Sequence, residues 1–403
     1  MTRPTRAVLP TLALRTLTVG ALVLPLAACV DNNAPADAAE AITVDSTADA
    51  CTVSAVEAPS GKLTFTITNS GDDVTEFYLL ADDKLRVVSE LENIGPGLTR
   101  DLVVQAAPGD YYTACKPGMV GDGITAAFTV TDSGADVGPT GALADQLAEA
   151  ETSYVAYVKD QVGSLVTGTQ QFADAYTSGD DDTARSLYAG VRAHWERIEP
   201  VAESFGDLDP LLDAREADLA EGDEWSGWHY IEKDLWQPDA ADNGGEAYTA
   251  LTADQRQAAA DQLVELTGEL EDRVTADDFT FQAFQISNGA KELLDEVATG
   301  KVTGEEEIWS HTDLWDFRAN VDGAEVGLGV LRGVAEQEDP DLVAQLDDRF
   351  AALDDLLAQY GSIDDGFVYY DELTADQVAE LAAAVDAVSE PLSHLTAVIT
   401  DAS

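Results

Sequence analysis

Thr131-Asp132-Ser133-Gly134-Ala135-Asp136-Val137-Gly138-Pro139 is the stretch on which the fold turns. Its Gly, Pro and Asp content marks a linker, and the hydrophobic period changes across it. On its N-terminal side Leu63, Phe65 and Ile67 alternate with Thr64, Thr66 and Thr68, the period of a strand with one buried face. The turn after it is Asn69-Ser70-Gly71-Asp72. Further strand-like runs are Thr75 to Leu80, Leu85 to Ser89, Asp101 to Gln105, Asp110 to Ala114 and Ile124 to Val130. Such short runs, with turns at roughly 8 to 12 residue intervals, predict a small β-sandwich. On the C-terminal side the period is helical. Val378, Leu381, Val385, Val388, Leu392 and Leu395 paint one stripe, with Pro391 placed to kink it, and Leu342, Leu346, Phe350, Leu353 and Leu357 paint another. Thr252-Ala-Asp-Gln255 and Thr374-Ala-Asp-Gln377 read as capping boxes, and Asp339-Pro340 as a helix start. The fold class is therefore multi-domain β plus all-α, a β-sandwich followed by an up-and-down helical bundle or two bundles joined.

The N-terminus carries an address. Arg3, Arg6 and Arg15 precede an apolar run from Leu17 to Ala28 that ends Leu26-Ala27-Ala28-Cys29, the form of a bacterial lipoprotein signal in which Cys29 is lipidated. The run is too short to span a bilayer as a helix. The expected domains are a signal peptide 1–28, a flexible tether 29–45, a β domain 46–132, a linker 133–140 and a helical domain 141–403. With Cys29 lipidated, Cys51 and Cys115 remain as a pair in an oxidising compartment, open to a disulfide or to metal binding. The chain carries 77 Asp and Glu against 21 Lys and Arg, a net charge of −56. That excludes nucleic acid and disfavours anionic lipid surfaces as partners, and it suits either a solvated surface or a collector of cations.

The densest chemistry is Trp225-Ser-Gly-Trp228-His229-Tyr230-Ile231-Glu232-Lys233-Asp234-Leu235-Trp236. On a helix His229 and Glu232 share a face, so imidazole and carboxylate can converge on one cation. Upstream, Glu199, Glu203, Asp207, Asp209 and Asp213 cluster around Gly206 and Pro210. Carboxylates beside a His suit Fe²⁺, Fe³⁺, Zn²⁺ or Ca²⁺. No His-Glu-x-x-His, Gly-x-Ser-x-Gly, phosphate loop or dinucleotide fingerprint occurs, so catalysis has no positive signal. The β segment has no His, because the first is His194, which excludes a type-one copper site. It offers Cys51, Cys115, Met119 and the nearby Glu76.

Several long segments resemble a known family. Thr75-Glu-Phe-Tyr-Leu-Leu80, Glu90-Leu-Glu-Asn-Ile-Gly-Pro-Gly97 and Pro108-Gly-Asp-Tyr-Tyr-Thr-Ala-Cys115 resemble the cupredoxin-like domain of the EfeO family. Glu199-Pro-Val-Ala-Glu-Ser-Phe-Gly-Asp-Leu-Asp-Pro210, Ala214-Arg-Glu-Ala-Asp218, Gly227 to Trp236 and Ser310 to Gly323 resemble its imelysin domain. The resemblance implies a small cupredoxin-like β-sandwich, paired four-helix bundles, and an extracytoplasmic iron-binding component of an iron uptake system. It implies a membrane permease and a haem peroxidase as partners, lipid anchoring at the outer face of the cytoplasmic membrane, and no catalytic residues. The cargo it implies is iron, as Fe²⁺ or Fe³⁺, with copper or iron as candidates for the β domain and zinc as a candidate substitute cation in vitro. It carries a metal site over to His229 and Glu232, with Asp209, Glu292, Glu199 and Glu203, and a second site to Cys51, Glu76 and Cys115, with Met119 beside it. Two other readings stay open at this stage: an imelysin-type metallopeptidase, against which the missing second His counts, and a polysaccharide-binding envelope lipoprotein that stacks sugars on Trp.

Overall fold

The structure, a computed structural model, describes residues 41–401 apart from positions 83, 85–86, 120–122, 135–140, 220–221, 223, 242, 278 and 300. The expected signal peptide, Cys29, most of the tether and most of the linker lie outside the described residues. Alternation produces the strands β1 (Ile42–Thr47), β2 (Ala50–Val53), β3 (Glu57–Pro59), β4 (Gly61–Asn69), β5 (Thr75–Leu80), β6 (Val87–Ile94), β7 (Thr99–Ala106), β8 (Gly109–Cys115) and β9 (Ile124–Thr131). They form two sheets, ordered β2-β1-β4-β7 and β3-β9-β8-β5-β6. The inner faces meet around Phe65, whose ring lies 5.2 Å from Phe77 and 5.6 Å from Phe128. Strand β1 begins inside the stretch expected as tether. Ile42 and Val44 alternate with exposed Thr43 and Asp45, and both are buried where β1 runs parallel to β4. Strand β6 likewise runs on past Ser89 to Ile94, paired along β5.

Beyond the linker come α1 (Ala142–Ser178), α2 (Asp181–Glu196), α3 (Leu208–Asp213), α4 (Gly227–Trp236), α5 (Ala253–Thr275), α6 (Ala283–Thr299), α7 (Asp313–Glu338), α8 (Pro340–Leu357), a two-stranded ribbon β10 (Gly361–Ser362) and β11 (Gly366–Phe367), then α9 (Ala375–Leu392) and α10 (Leu395–Asp401). Helix α1 packs on α2 and α5, while α6 to α9 make a second group, and α7 lies against α1 and α2 so that one apolar core runs through both. Both capping boxes form: Thr252 and Thr374 accept from the backbone N–H groups of Gln255 and Gln377, whose side chains accept in return. Asp339 caps α8 by accepting from Leu342 N–H, with Pro340 as the first residue. Pro391 closes α9 instead of bending it, so the expected stripe is divided between α9 and α10. No helix among the described residues is long and apolar enough to cross a membrane.

Helix α6 joins the two parts. It lies against β6 and β7, the edge strands of the two sheets, and puts Phe284 into the β core. Asn288 donates to Ser89 Oγ (2.8 Å) and to the Val103 carbonyl (3.0 Å), and Arg100 pairs with Asp295. Covering one edge of each sheet gives partners to polar groups that would otherwise be exposed for aberrant strand pairing.

Candidate metal centre

The centre is assembled where α2, α3, α4 and the segment before α7 meet. Gly227 opens α4 at φ +85°, and a Cβ there would stand 2.1 Å from the Leu212 carbonyl oxygen. Only glycine allows this approach, which sets His229 beside Asp213 at the end of α3. His229 and Glu232 are one turn apart, and the ring Nδ1 lies 3.2 Å from Glu232 Oε2. The other oxygen of Glu232 accepts the backbone N–H groups of Trp309 (3.0 Å) and Ser310 (2.7 Å). Glu232 is thereby fixed, and it fixes the ring.

The far side of the ring is different. His229 Nε2 is buried, makes no hydrogen bond, and faces Asp213 Oδ1 and Glu306 Oε1, each at 3.5 Å. Two ligand atoms at metal bonds of about 2.1 Å in tetrahedral arrangement are about 3.4 Å apart, so the spacing suits one cation between them. Asp213, His229 and Glu306 bring their ligand atoms within 4.8 Å of one another, as do His229, Glu232 and Glu307. The second group is closed: Glu307 accepts from Ser310 Oγ (2.7 Å) and Tyr188 OH (3.2 Å) and lies against Arg192 Nε (2.7 Å). The first group opens outward.

Charge balance inside the protein rests on two buried cations. Arg192, fully buried, pairs with Glu196 and Asp213 and lies 3.3 Å from Glu306 and 3.7 Å from Asp316. Lys301 holds Glu196 (2.9 Å) and Glu199 (2.6 Å). Burial works to raise the Asp213 carboxyl, but the Arg192 guanidinium outweighs it and holds the group below its ordinary range. Burial is likewise outweighed at Glu306, by Lys301 and His229. Glu307 is pushed well up, by burial and then by the Glu232 charge. At His229 burial and Arg192 favour the neutral ring, yet the surrounding carboxylates of Asp213, Glu232 and Glu306 hold it well above its ordinary value. The same carboxylates therefore favour a positive charge at this position, whether a proton or a metal ion carries it.

A cavity of about 210 Å³ leads from this point to the α6 and β6 side. Asp213 and Glu306 of the cluster line it together with Glu199, Asp209 and Asp218, with Glu292 and Glu296 from α6, and with Glu90 and Glu92 from β6. Burial raises Glu199 strongly and lifts Glu296 to about 7. Helix α6 comes this close because Gly289, where a Cβ would be 1.7 Å from the Pro200 carbonyl oxygen, rests on the turn that carries Glu199.

Of the residues expected from sequence, His229 and Glu232 meet in one cluster. Asp209, Glu199 and Glu292 line the cavity and belong to neither ligand group. Glu199 is taken by Lys301 and Asn320, and Glu292 by Lys291 Nζ at 2.9 Å. The side chain of Glu203 lies outside the described residues. The second expected site does not assemble. Cys51 and Cys115 form a disulfide with a Cα separation of 5.5 Å, leaving no thiolate to offer. Phe77 stands opposite Cys115 across β5 and β8 and shares its face, so Glu76 points the other way, towards Tyr78 OH and, at 3.7 Å, Lys116 Nζ. The side chain of Met119 is outside the described residues. Glu306, Glu307, Arg192 and Lys301 were not singled out in the sequence. The signal available was the run Glu305-Glu306-Glu307 a few residues before Asp313.

Residues 150–395 match the imelysin family and residues 19–130 match the cupredoxin-like domain family. The iron uptake system component EfeO of Escherichia coli strain K12 is 35% identical over 384 residues, covering 94% of this chain and 97% of that protein. The proteins of the same name from Escherichia coli O157:H7 and Shigella flexneri show the same identity and coverage.

Proposed function

The chain belongs to the EfeO family, with a cupredoxin-like domain followed by an imelysin domain, and on that premise we propose that it is the iron-binding extracytoplasmic component of an iron uptake system. His229 Nε2, Asp213 and Glu306 hold the cation, and Glu232 orients the imidazole from behind. One observation carries this reading: a buried imidazole nitrogen without a hydrogen bond faces two carboxylate oxygens at 3.5 Å, and both carboxylates line an acidic cavity. In either neutral tautomer a ring lone pair faces a carboxylate, Glu232 at Nδ1 or Asp213 and Glu306 at Nε2, which is unfavourable unless a proton or a cation stands between. The Glu232–His229 pair is the carboxylate–histidine arrangement that fixes ring orientation and raises ligand basicity. One nitrogen and two carboxylates suit borderline and hard cations, iron among them. The chain takes iron from solution, is tethered through lipidated Cys29, and hands the ion to a membrane permease, with a haem peroxidase as a further partner. The centre has one imidazole, where a His-Glu-x-x-His metallopeptidase has two.

Titration calorimetry with Fe²⁺ under anaerobic conditions, and with Fe³⁺ presented as a citrate complex, tests the assignment. The wild type should bind one ion at this centre, and His229→Ala and Glu306→Gln should each lose at least 100-fold in affinity while retaining a cooperative thermal transition. Unchanged affinity in both variants would refute the site. In cells, Cys29→Ser should release the protein from the membrane fraction, and a membrane-bound Cys29→Ser protein would refute the anchor.

A further inference from the structure

Arg215 is the one basic side chain among the described residues lining the cavity, and its contacts run from the ligand cluster to solvent. Its Nη1 donates to Glu306 Oε2 and to Glu305 Oε1, both at 3.3 Å. Its Nε and Nη2 donate to the two oxygens of Asp218 at 2.9 and 3.0 Å. Glu306 is thus divided: Oε1 faces His229 and the buried Arg192, and Oε2 faces Arg215. The Arg215 side chain is 26% exposed, against 5% for Glu306, 42% for Asp218 and 52% for Glu305.

We propose that Arg215 is a tethered counter-ion that occupies the mouth of the cation site and is displaced when a divalent or trivalent cation binds. The inference rests on the reading that His229, Asp213 and Glu306 hold the ion. Without a cation the guanidinium neutralises the outer oxygen of Glu306. An arriving cation attracts the same carboxylate and repels the guanidinium, so the two compete directly. Departure of Arg215 from Glu306 sacrifices one contact only, because the two-point grip on Asp218 is independent of it. The side chain swings towards Asp218 and Glu305 without unfolding anything. Its return helps expel the ion, which a carrier needs if it is to release what it binds.

Fe²⁺ affinity and the rate of Fe²⁺ loss to a chelator, both measured anaerobically on the whole chain, test this, with Zn²⁺ as a redox-inert probe. Arg215→Gln should bind about tenfold tighter and release Fe²⁺ about tenfold more slowly. Asp218→Asn, which leaves Arg215 to Glu305 and Glu306, should bind more weakly and release faster. Arg332→Gln on α7 removes the same charge from an exposed pair with Asp347 of α8 and should stay within twofold of wild type, separating contact from long-range field. Equal or weaker binding by a folded Arg215→Gln protein overturns the proposal. If that variant lacks a cooperative thermal transition, Asp218→Asn decides, and an unchanged release rate there overturns it. His229→Ala distinguishes the premise: retained affinity means the site is wrong, whereas lost affinity with Arg215→Gln unchanged removes the gate alone.

Discussion

At the scale of single residues the proposed centre sets protons and cations in competition for one nitrogen. Burial and Arg192 favour the neutral His229, but Asp213, Glu232 and Glu306 together hold the folded-state pKa well above the ordinary 6.5. Below that raised value the cation-free ring is protonated, so a metal must expel a proton from Nε2. Affinity should therefore rise with pH, by up to about tenfold per unit, until the raised pKa is passed. Calorimetry at pH 6 and 7.5 in buffers of different ionisation enthalpy should show about one proton released per ion bound. No proton release would mean that the ring is not a ligand. Arg192 has a different task. It lies among Glu196, Asp213, Glu306, Glu307 and Asp316 with no exposure, and its removal would leave buried carboxylates uncompensated. Arg192→Met should destabilise the protein by about 3–5 kcal/mol in denaturant titrations.

At the scale of elements, α4 is placed by its first residue. Gly227 combines φ +85° with contact against the Leu212 carbonyl, so Gly227→Ala must push the start of α4 away from α3. Asp213 and His229 then separate. Fe²⁺ affinity should fall by more than tenfold and stability by about 2 kcal/mol, the cost of a close backbone contact and a left-handed residue together. Wild-type affinity in this variant would mean that the α3–α4 contact does not position the ring. Much at this scale was legible in advance. The bounds of β5, both capping boxes and the His229–Glu232 pair follow from local rules that need only a few consecutive residues. The rest of the centre was not, because its partners meet across long separations: Trp309 and Ser310 reach Glu232 from 77 and 78 residues away. Glu306 and Glu307, in a chain with 77 acidic residues, look like any other solvated run. The tether was overextended for the opposite reason, since Ile42 and Val44 give an alternation too short to stand out until β4 pairs with it.

At the scale of the whole molecule the proposal assigns the −56 charge to how fast cations arrive, and the local ligands to how long they stay. Diffusing ions respond to the summed field, and a cleft lined by one sign of charge focuses it. Salt screens that field over about 10 Å at 0.1 M and about 3 Å at 1 M. The contacts of His229 with Asp213 and Glu306, each 3.5 Å, lie well within the first distance, and their burial keeps salt ions from coming between them. The rate of Fe²⁺ association should therefore fall about tenfold between 20 mM and 500 mM of a non-coordinating salt, while the rate of loss to a chelator changes less than twofold. On the proposed reading the β domain would add to the arrival term through Glu90 and Glu92 on β6, which line the cavity where α6 packs against that strand. A Glu90→Gln/Glu92→Gln double variant should associate several-fold more slowly at 20 mM salt, match the wild type at 500 mM, and release iron at the wild-type rate. Equal salt slopes for wild type and variant would mean that the field is set elsewhere on the surface and that the β wall of the cavity has no part in capture.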